Sequence, residues 1–197
     1  MTAAARQGLT AQAFFERLRS RLHAAPSKVM EAPGMRLKAA AVLAPCFWRA
    51  GEPWVYLTMR PMTLRKHPGQ ISFPGGARDA GDLTPLHTAL RETKEELGLE
   101  PDDVDVLGLL GAMPTITSYW VTPFVGVVPA EAPLTPHAGE IAEVLEAPLW
   151  RLRKEKRFIY EVDRDVYVWG DGRHVVWGAT FRMLDQLVTH VEAIGRS

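Results

Sequence analysis

One segment, residues 84 to 98, carries its own start and stop signals and limits what this chain can become. Thr84 is a good N-cap, Pro85 suits the first helical position, and Gly98 suits the left-handed residue that closes a helix. Between them Leu86, Ala89, Leu90 and Leu97 recur at helical spacing, which predicts an amphipathic helix with one buried face. On either side the pattern turns β-rich: "RLKAAAVLAPCFW", "WVYLTMR" and "GQISFPGG" before it, "VDVLGLLGAM" and "WVTPFVGVV" after it. "GEIAEVLEAPLWRLRKEKR" mixes strand and helix signals, "VYVWGDGRHVVWG" reads as a hairpin about Gly170-Asp171-Gly172, and "TFRMLDQLVTHVEAI" reads as a closing amphipathic helix. A central helix set among strands predicts an α+β or mixed α/β sandwich, and argues against a helical bundle or an all-β barrel.

With 197 residues and 47% apolar side chains, one core is affordable, and a single domain over 36–194 is expected. Residues 1–35 would add a helix and a Pro-interrupted linker, "APSKVMEAPGM". The Ala- and Arg-rich start also suits an organellar transit peptide, but Phe14, Phe15, Leu18 and Leu22 follow helical spacing and favour a docked helix. Lys plus Arg (23) balances Asp plus Glu (23), so no global field draws the chain to nucleic acid or to an anionic membrane, and neither is expected as a partner. No apolar run approaches the roughly 18 to 20 residues that span a bilayer. The lone Cys46 leaves no disulfide framework and suits a reducing, cytoplasmic setting. The six histidines lack paired metal spacing, so zinc is unsupported, and no P-loop, dinucleotide fingerprint or serine elbow is present. A homodimer, with or without the N-terminal helix at its interface, is compatible with all of this.

The central helix carries "RETKEELGLE", which crowds Glu92, Glu95 and Glu96 onto adjoining positions near its C-terminus. Like charges one turn apart destabilise a helix by a few tenths of a kcal/mol per pair, and the macrodipole disfavours anions at that end. Two readings follow. Arg91 and Lys94 offset part of the repulsion, so the face is either a solvated mixture of charges or a site for a hard divalent cation, Mg²⁺ or Mn²⁺. In the second case a spare carboxylate would hold another ion or act as a base on water. Gly75 and Gly76, after a strand and before the helix, would let backbone approach an ion or phosphate closely. Arg60, Arg65, Lys66 and His67 form the densest positive cluster upstream, suited either to phosphate oxygens or to guarding a sheet edge. "RLRKEKR", 151–157, reads first as a solvated charge run, and the tryptophans read first as core, although Tyr119-Trp120 follows a loop able to reach the pocket.

"GGARDAGDLTPLHTALRETKEELGL", 75–99, resembles the signature of the Nudix hydrolases, with Asp82 in place of the usual Glu and Thr93 in place of a bulky aliphatic. "RPMTLRKHPGQISFPGG", 60–76, resembles the upstream element of the coenzyme A pyrophosphatase branch, with Pro61 in place of a small residue. "TSYWVTPFVGVVP", "EIAEVLEAPL" and "VVWGAT" also look like that branch. The resemblance implies an α/β/α sandwich around a mixed sheet, with a loop-helix-loop that holds Mg²⁺ or Mn²⁺. The implied activity is hydrolysis of the pyrophosphate of coenzyme A or its thioesters, giving 4'-phosphopantetheine or its acyl form and adenosine 3',5'-bisphosphate. Carried over by position, Glu92 and Glu96 would bind metal and Glu95 would be a further ligand or the base. Arg91 would orient them, and Glu140, on a later loop, is the other candidate base. Arg60, Arg65, His67, Gly75 and Gly76 would bind substrate. Another nucleoside diphosphate derivative, such as ADP-ribose, NADH or a dinucleoside polyphosphate, is the alternative substrate, and a non-catalytic nucleotide-binding module is the alternative class.

Overall fold

The computed structural model describes residues 9–24, 37–64, 68–160, 162–170 and 172–195. The expected linker, together with Arg65, Lys66, His67 and Asp171, lies outside them. In chain order the elements are α1 (Ala11–Arg19), β1 (Lys38–Arg49), β2 (Glu52–Met59), β3 (Ile71–Ser72), β4 (Gly75–Ala77), α2 (Pro85–Leu97), β5 (Asp105–Leu109), β6 (Met113–Pro114), β7 (Tyr119–Val127), β8 (Glu143–Pro148), β9 (Arg153–Ile159), β10 (Val162–Trp169), β11 (His174–Val176) and α3 (Gly178–Gly195).

The spine of the main sheet runs β3-β2-β1-β7-β5, and β1 lies parallel to β7 while its pairings with β2 and β4 are antiparallel, so the sheet is mixed as expected. β1 and β2 form a hairpin closed by Ala50 and Gly51, both at positive φ as a tight hairpin turn requires. Only the far half of β1 pairs with β2; its first half pairs Ala40, Ala41 and Val42 with Ala77, Gly76 and Gly75 of β4. β2 meanwhile pairs, from Trp54 to Met59, with the whole length of β8. The sheet therefore opens beside β4, where the chain enters α2.

Side-chain alternation along β1 sorts the layers. Ala41 and Leu43 face α2 and pack with Ala89 and Phe124, whereas Ala44 and Cys46 face the opposite core with Phe14, Leu18, Leu184 and Leu187. Helices on both faces of the sheet make the α/β/α sandwich. β9, β10 and β11 form a separate antiparallel sheet on the α3 side.

Two segments differ in detail from the sequence expectation. "GQISFPGG" is two short strands, because Phe73-Pro74 interrupts the ladder and the Pro74 carbonyl accepts from the Leu43 N–H instead. The ambiguous stretch 139–157 contains no helix: Leu145 and Ala147 alternate inward on β8 beside β2, and β9 follows.

Candidate active site

Local sequence sets the position of α2 to within a residue. The Thr84 hydroxyl accepts from the His87 N–H at 3.1 Å, and Gly98, at φ +72°, closes the last turn through its N–H to the Lys94 carbonyl. A side chain at Gly98 would also collide with the Thr135 hydroxyl. The buried stripe is wider than its aliphatic residues alone, since Thr88, Thr93 and Glu96 join Ala89 and Leu97 inside. Thr93 satisfies its hydroxyl on the Ala89 carbonyl at 2.7 Å, which makes a polar residue tolerable where an aliphatic would also fit.

Arg91 is the hub of the charged face. Its Nε and Nη2 grip the two oxygens of Asp82 at 3.0 and 2.9 Å, and Nη2 also reaches Glu92 Oε1 at 2.9 Å and the Ala77 carbonyl at 3.2 Å. Its Nη1 holds Glu95 Oε2 at 3.0 Å. Asp82 is only 2% exposed and takes a further bond from the Asp79 N–H, so the guanidinium holds its carboxyl well below the usual range and that charge in turn raises Arg91. The loop before α2 is thereby fastened to the helix.

Glu92 and Glu96 have fewer bonds than Asp82 to offset their desolvation. Burial pushes both upward, Glu96 to about 7 despite the Gly75 N–H that donates to its Oε2 at 3.2 Å. The neighbouring charges of Glu92 and Glu140 add to the rise at Glu96, and Arg60 opposes it. Gly76 lies against Glu92 so closely that an added Cβ would stand 2.5 Å from its carboxyl carbon. At Gly75, with φ +148°, an added Cβ would collide with the Ala41 carbonyl oxygen, so glycine is required there, while a side chain at Gly76 would displace the Glu92 carboxylate.

Arg60 sits at the end of β2, and its Nε is buried with no partner among the described residues. Such an atom points to an absent anion or water. Glu140 is exposed, on a turn whose His137 N–H bonds the Glu96 carbonyl at 3.0 Å, which brings this later loop to the end of α2. Gly75, Gly76 and Ala77 also form one wall of a cleft of ≈ 270 Å³, with Thr115, Thr117 and Tyr119 opposite. The structure therefore gathers Arg60, Gly75, Gly76, Arg91, Glu92, Glu95, Glu96 and Glu140 around one end of α2, while Arg65 and His67 lie outside the described residues. Sequence patterning did not single out Asp82 as Arg91's anchor, nor the two threonines; the polar run just before Tyr119-Trp120 was the available signal for the latter.

Among the described residues, no three His, Cys, Asp or Glu side chains stand as a ready metal cage. Arg91 draws Glu92 and Glu95 to itself, and Glu96 turns to Gly75. The donor set nonetheless suits a hard divalent cation: it is all oxygen, Glu92 and Glu96 are desolvated carboxylates, and Glu96 has no ion-pair partner among the described residues.

Residues 37–169 match the family model for the NUDIX domain. The chain belongs to the Nudix family. A protein of Cronobacter sakazakii named "Uncharacterized Nudix hydrolase NudL" is 36% identical over 168 residues, covering 82% of this chain and 87% of its own. The protein of the same name from Escherichia coli K12 is 36% identical over 163 residues, covering 78% and 83%. Among solved structures, the Nudix hydrolase RenU of M. smegmatis superposes with a TM-score of 0.53 at 22% identity, covering 84% of this chain and 93% of its own. A C. elegans Ap4A hydrolase superposes at 0.50 and 19% identity, covering 56% and 80%. These last two carry the fold alone. For a Nudix hydrolase the general activity is pyrophosphohydrolysis of a nucleoside-diphosphate-linked compound. No helix among the described residues is long and apolar enough to cross a membrane.

Proposed function

We propose that this Nudix hydrolase cleaves the diphosphate linkage of its substrate with the help of Mg²⁺ or Mn²⁺, and that within the nucleoside diphosphate derivatives it acts on coenzyme A or its thioesters. The class carries the stronger support, because the relatives' names specify no substrate. The coenzyme A assignment rests on the sequence run from Arg60 to Gly76, whose Gly75 N–H donates to Glu96 and whose buried Arg60 Nε has no partner among the described residues.

A diphosphate is inert because its charge repels nucleophiles, so the site must balance that charge and deliver a water in line. Glu92 and Glu96 would hold the cation, which supplies charge neutralisation and a more acidic bound water when present. Arg91 fixes Glu92 and Glu95 by its fork, Gly75 and Gly76 let the diphosphate approach the sheet edge, and Arg60 would bind a non-bridging oxygen. Glu95, held by Arg91, and Glu140, on the turn near Glu96, are the two candidates for the base that would take the proton from water.

The decisive experiment supplies the protein with Mg²⁺ or Mn²⁺ and a panel of coenzyme A, acetyl-coenzyme A, ADP-ribose, NADH and dinucleoside polyphosphates, with products identified by mass. The expected products are 4'-phosphopantetheine, or its acyl form, and adenosine 3',5'-bisphosphate. Preference for ADP-ribose or NADH would move the substrate within the class; no turnover of any member would leave a nucleotide-binding module.

A further inference from the structure

The cleft beside Gly75 and Gly76 has a neighbour at the 115–118 loop. Thr115 and Thr117 are also walls of a second cleft of ≈ 330 Å³, bounded by Gln70, Arg164, Trp177 and Arg182. Gln70 ties it to the upstream element, since its carbonyl accepts from the Arg60 N–H at 3.0 Å. The two clefts thus share the 115–118 loop as a common wall, the first beginning at Gly75 and Gly76, the glycines that touch Glu96 and Glu92, and the second ending at the start of α3.

The second cleft is built for an anion next to an aromatic group. Arg164 is half-buried, donates Nε to the Ile159 carbonyl at 3.2 Å and lies 5.4 Å from the Trp177 ring centre. Arg182 is exposed, and Nη1 makes a long 3.4 Å contact with the Pro114 carbonyl. Neither arginine pairs with a carboxylate among the described residues, unlike Arg49 with Glu146 or Arg151 with Glu52 at the opposite end of β2. α3 begins at Gly178 on the wall of the same cleft, so the positive end of its dipole adds to the two guanidinium groups. The Trp177 ring, braced edge-on by Tyr160 at 5.4 Å, supplies the apolar wall.

We propose that this second cleft receives the nucleoside end of the substrate, with Arg164 and Arg182 binding a phosphate monoester outside the cleaved diphosphate and Trp177 lying beside the base. The assignment rests on the first cleft being the diphosphate site. A monoester carries close to two negative charges at neutral pH and three acceptor oxygens, which two arginine forks match better than one. Substrates lacking that phosphate would leave both cations unmatched.

The test compares pairs that differ only in this group: coenzyme A against 3'-dephospho-coenzyme A, and NADPH against NADH. In the unaltered protein the phosphorylated member of a pair is expected to show the higher kcat/KM. In Arg182→Ala, whose side chain is exposed and whose folding is checked by thermal melting, KM for that member rises about tenfold with kcat little changed, and the gap within the pair closes. Equal losses on both members, no preference in the unaltered protein, or no turnover of either pair would overturn the proposal. In the last case, hydrolysis of ADP-ribose would leave the diphosphate site standing without the second subsite, and inactivity towards ADP-ribose as well would remove both.

Discussion

Glu96 is held where a carboxylate is least at ease: 6% exposed, close to two other acids, and steadied by one backbone N–H from Gly75. A neutral amide of the same shape would lose the charge and keep the packing. Glu96→Gln is therefore expected to lower kcat by at least about 100-fold, the scale seen when one electrostatic contribution is removed from a catalytic site, while the thermal midpoint stays the same or rises. A fully active variant would return this face of α2 to a solvated mixture of charges. The triplet of glutamates was legible in sequence because helical spacing alone brings them together. The burial of Glu96 was not, because its partner Gly75 comes from 21 residues away along the chain. Asp82 escaped notice as a structural group for the same reason: its two bonds to Arg91 exist only once the loop has folded back over the helix.

Between residue and fold, α2 and the loop before it act as one unit riveted by Asp82 and Arg91. Removing one partner of a buried, hydrogen-bonded ion pair leaves the other uncompensated, so Asp82→Ala is expected to cost about 2–4 kcal/mol in a denaturant melt, the partial exposure of Arg91 keeping it short of the largest cases. The Asp82 carboxyl titrates lower in the folded chain than in the unfolded one. Its contribution is thus complete above the ordinary carboxylate range and disappears as pH falls through the depressed folded value. Acid should erase the difference between variant and parent, and a difference that persisted at low pH would place the stabilisation elsewhere. The ends of α2 were readable because Thr84, Pro85 and Gly98 act locally. The stretch holding β8 and β9 was ambiguous because only pairing with β2 decides between strand and helix, and that partner is set by the tertiary fold.

At the scale of the whole molecule, α1 belongs to the main core. Phe14 is fully buried, 5.2 Å from the ring of Trp48 and 5.8 Å from that of Trp150, and Leu18 lies beside it in the same cluster. Phe14→Ala is expected to cost about 3–5 kcal/mol, measured by urea unfolding; a loss below about 1 kcal/mol would mean that the helix is only loosely attached. The helical spacing of Phe14, Phe15 and Leu18 foretold the docking, and the strand–helix–strand alternation foretold the sandwich. The order of strands could not be read, because the parallel pairing of β1 with β7 joins segments with most of the catalytic region between them. That pairing has a consequence during synthesis. β1 leaves the ribosome well before β7 exists, and at roughly 5–20 residues per second one of its edges stays open for seconds. Until β7 arrives, the early hairpin with β2 and the cover of α2 are what protect the nascent chain from pairing with a stranger.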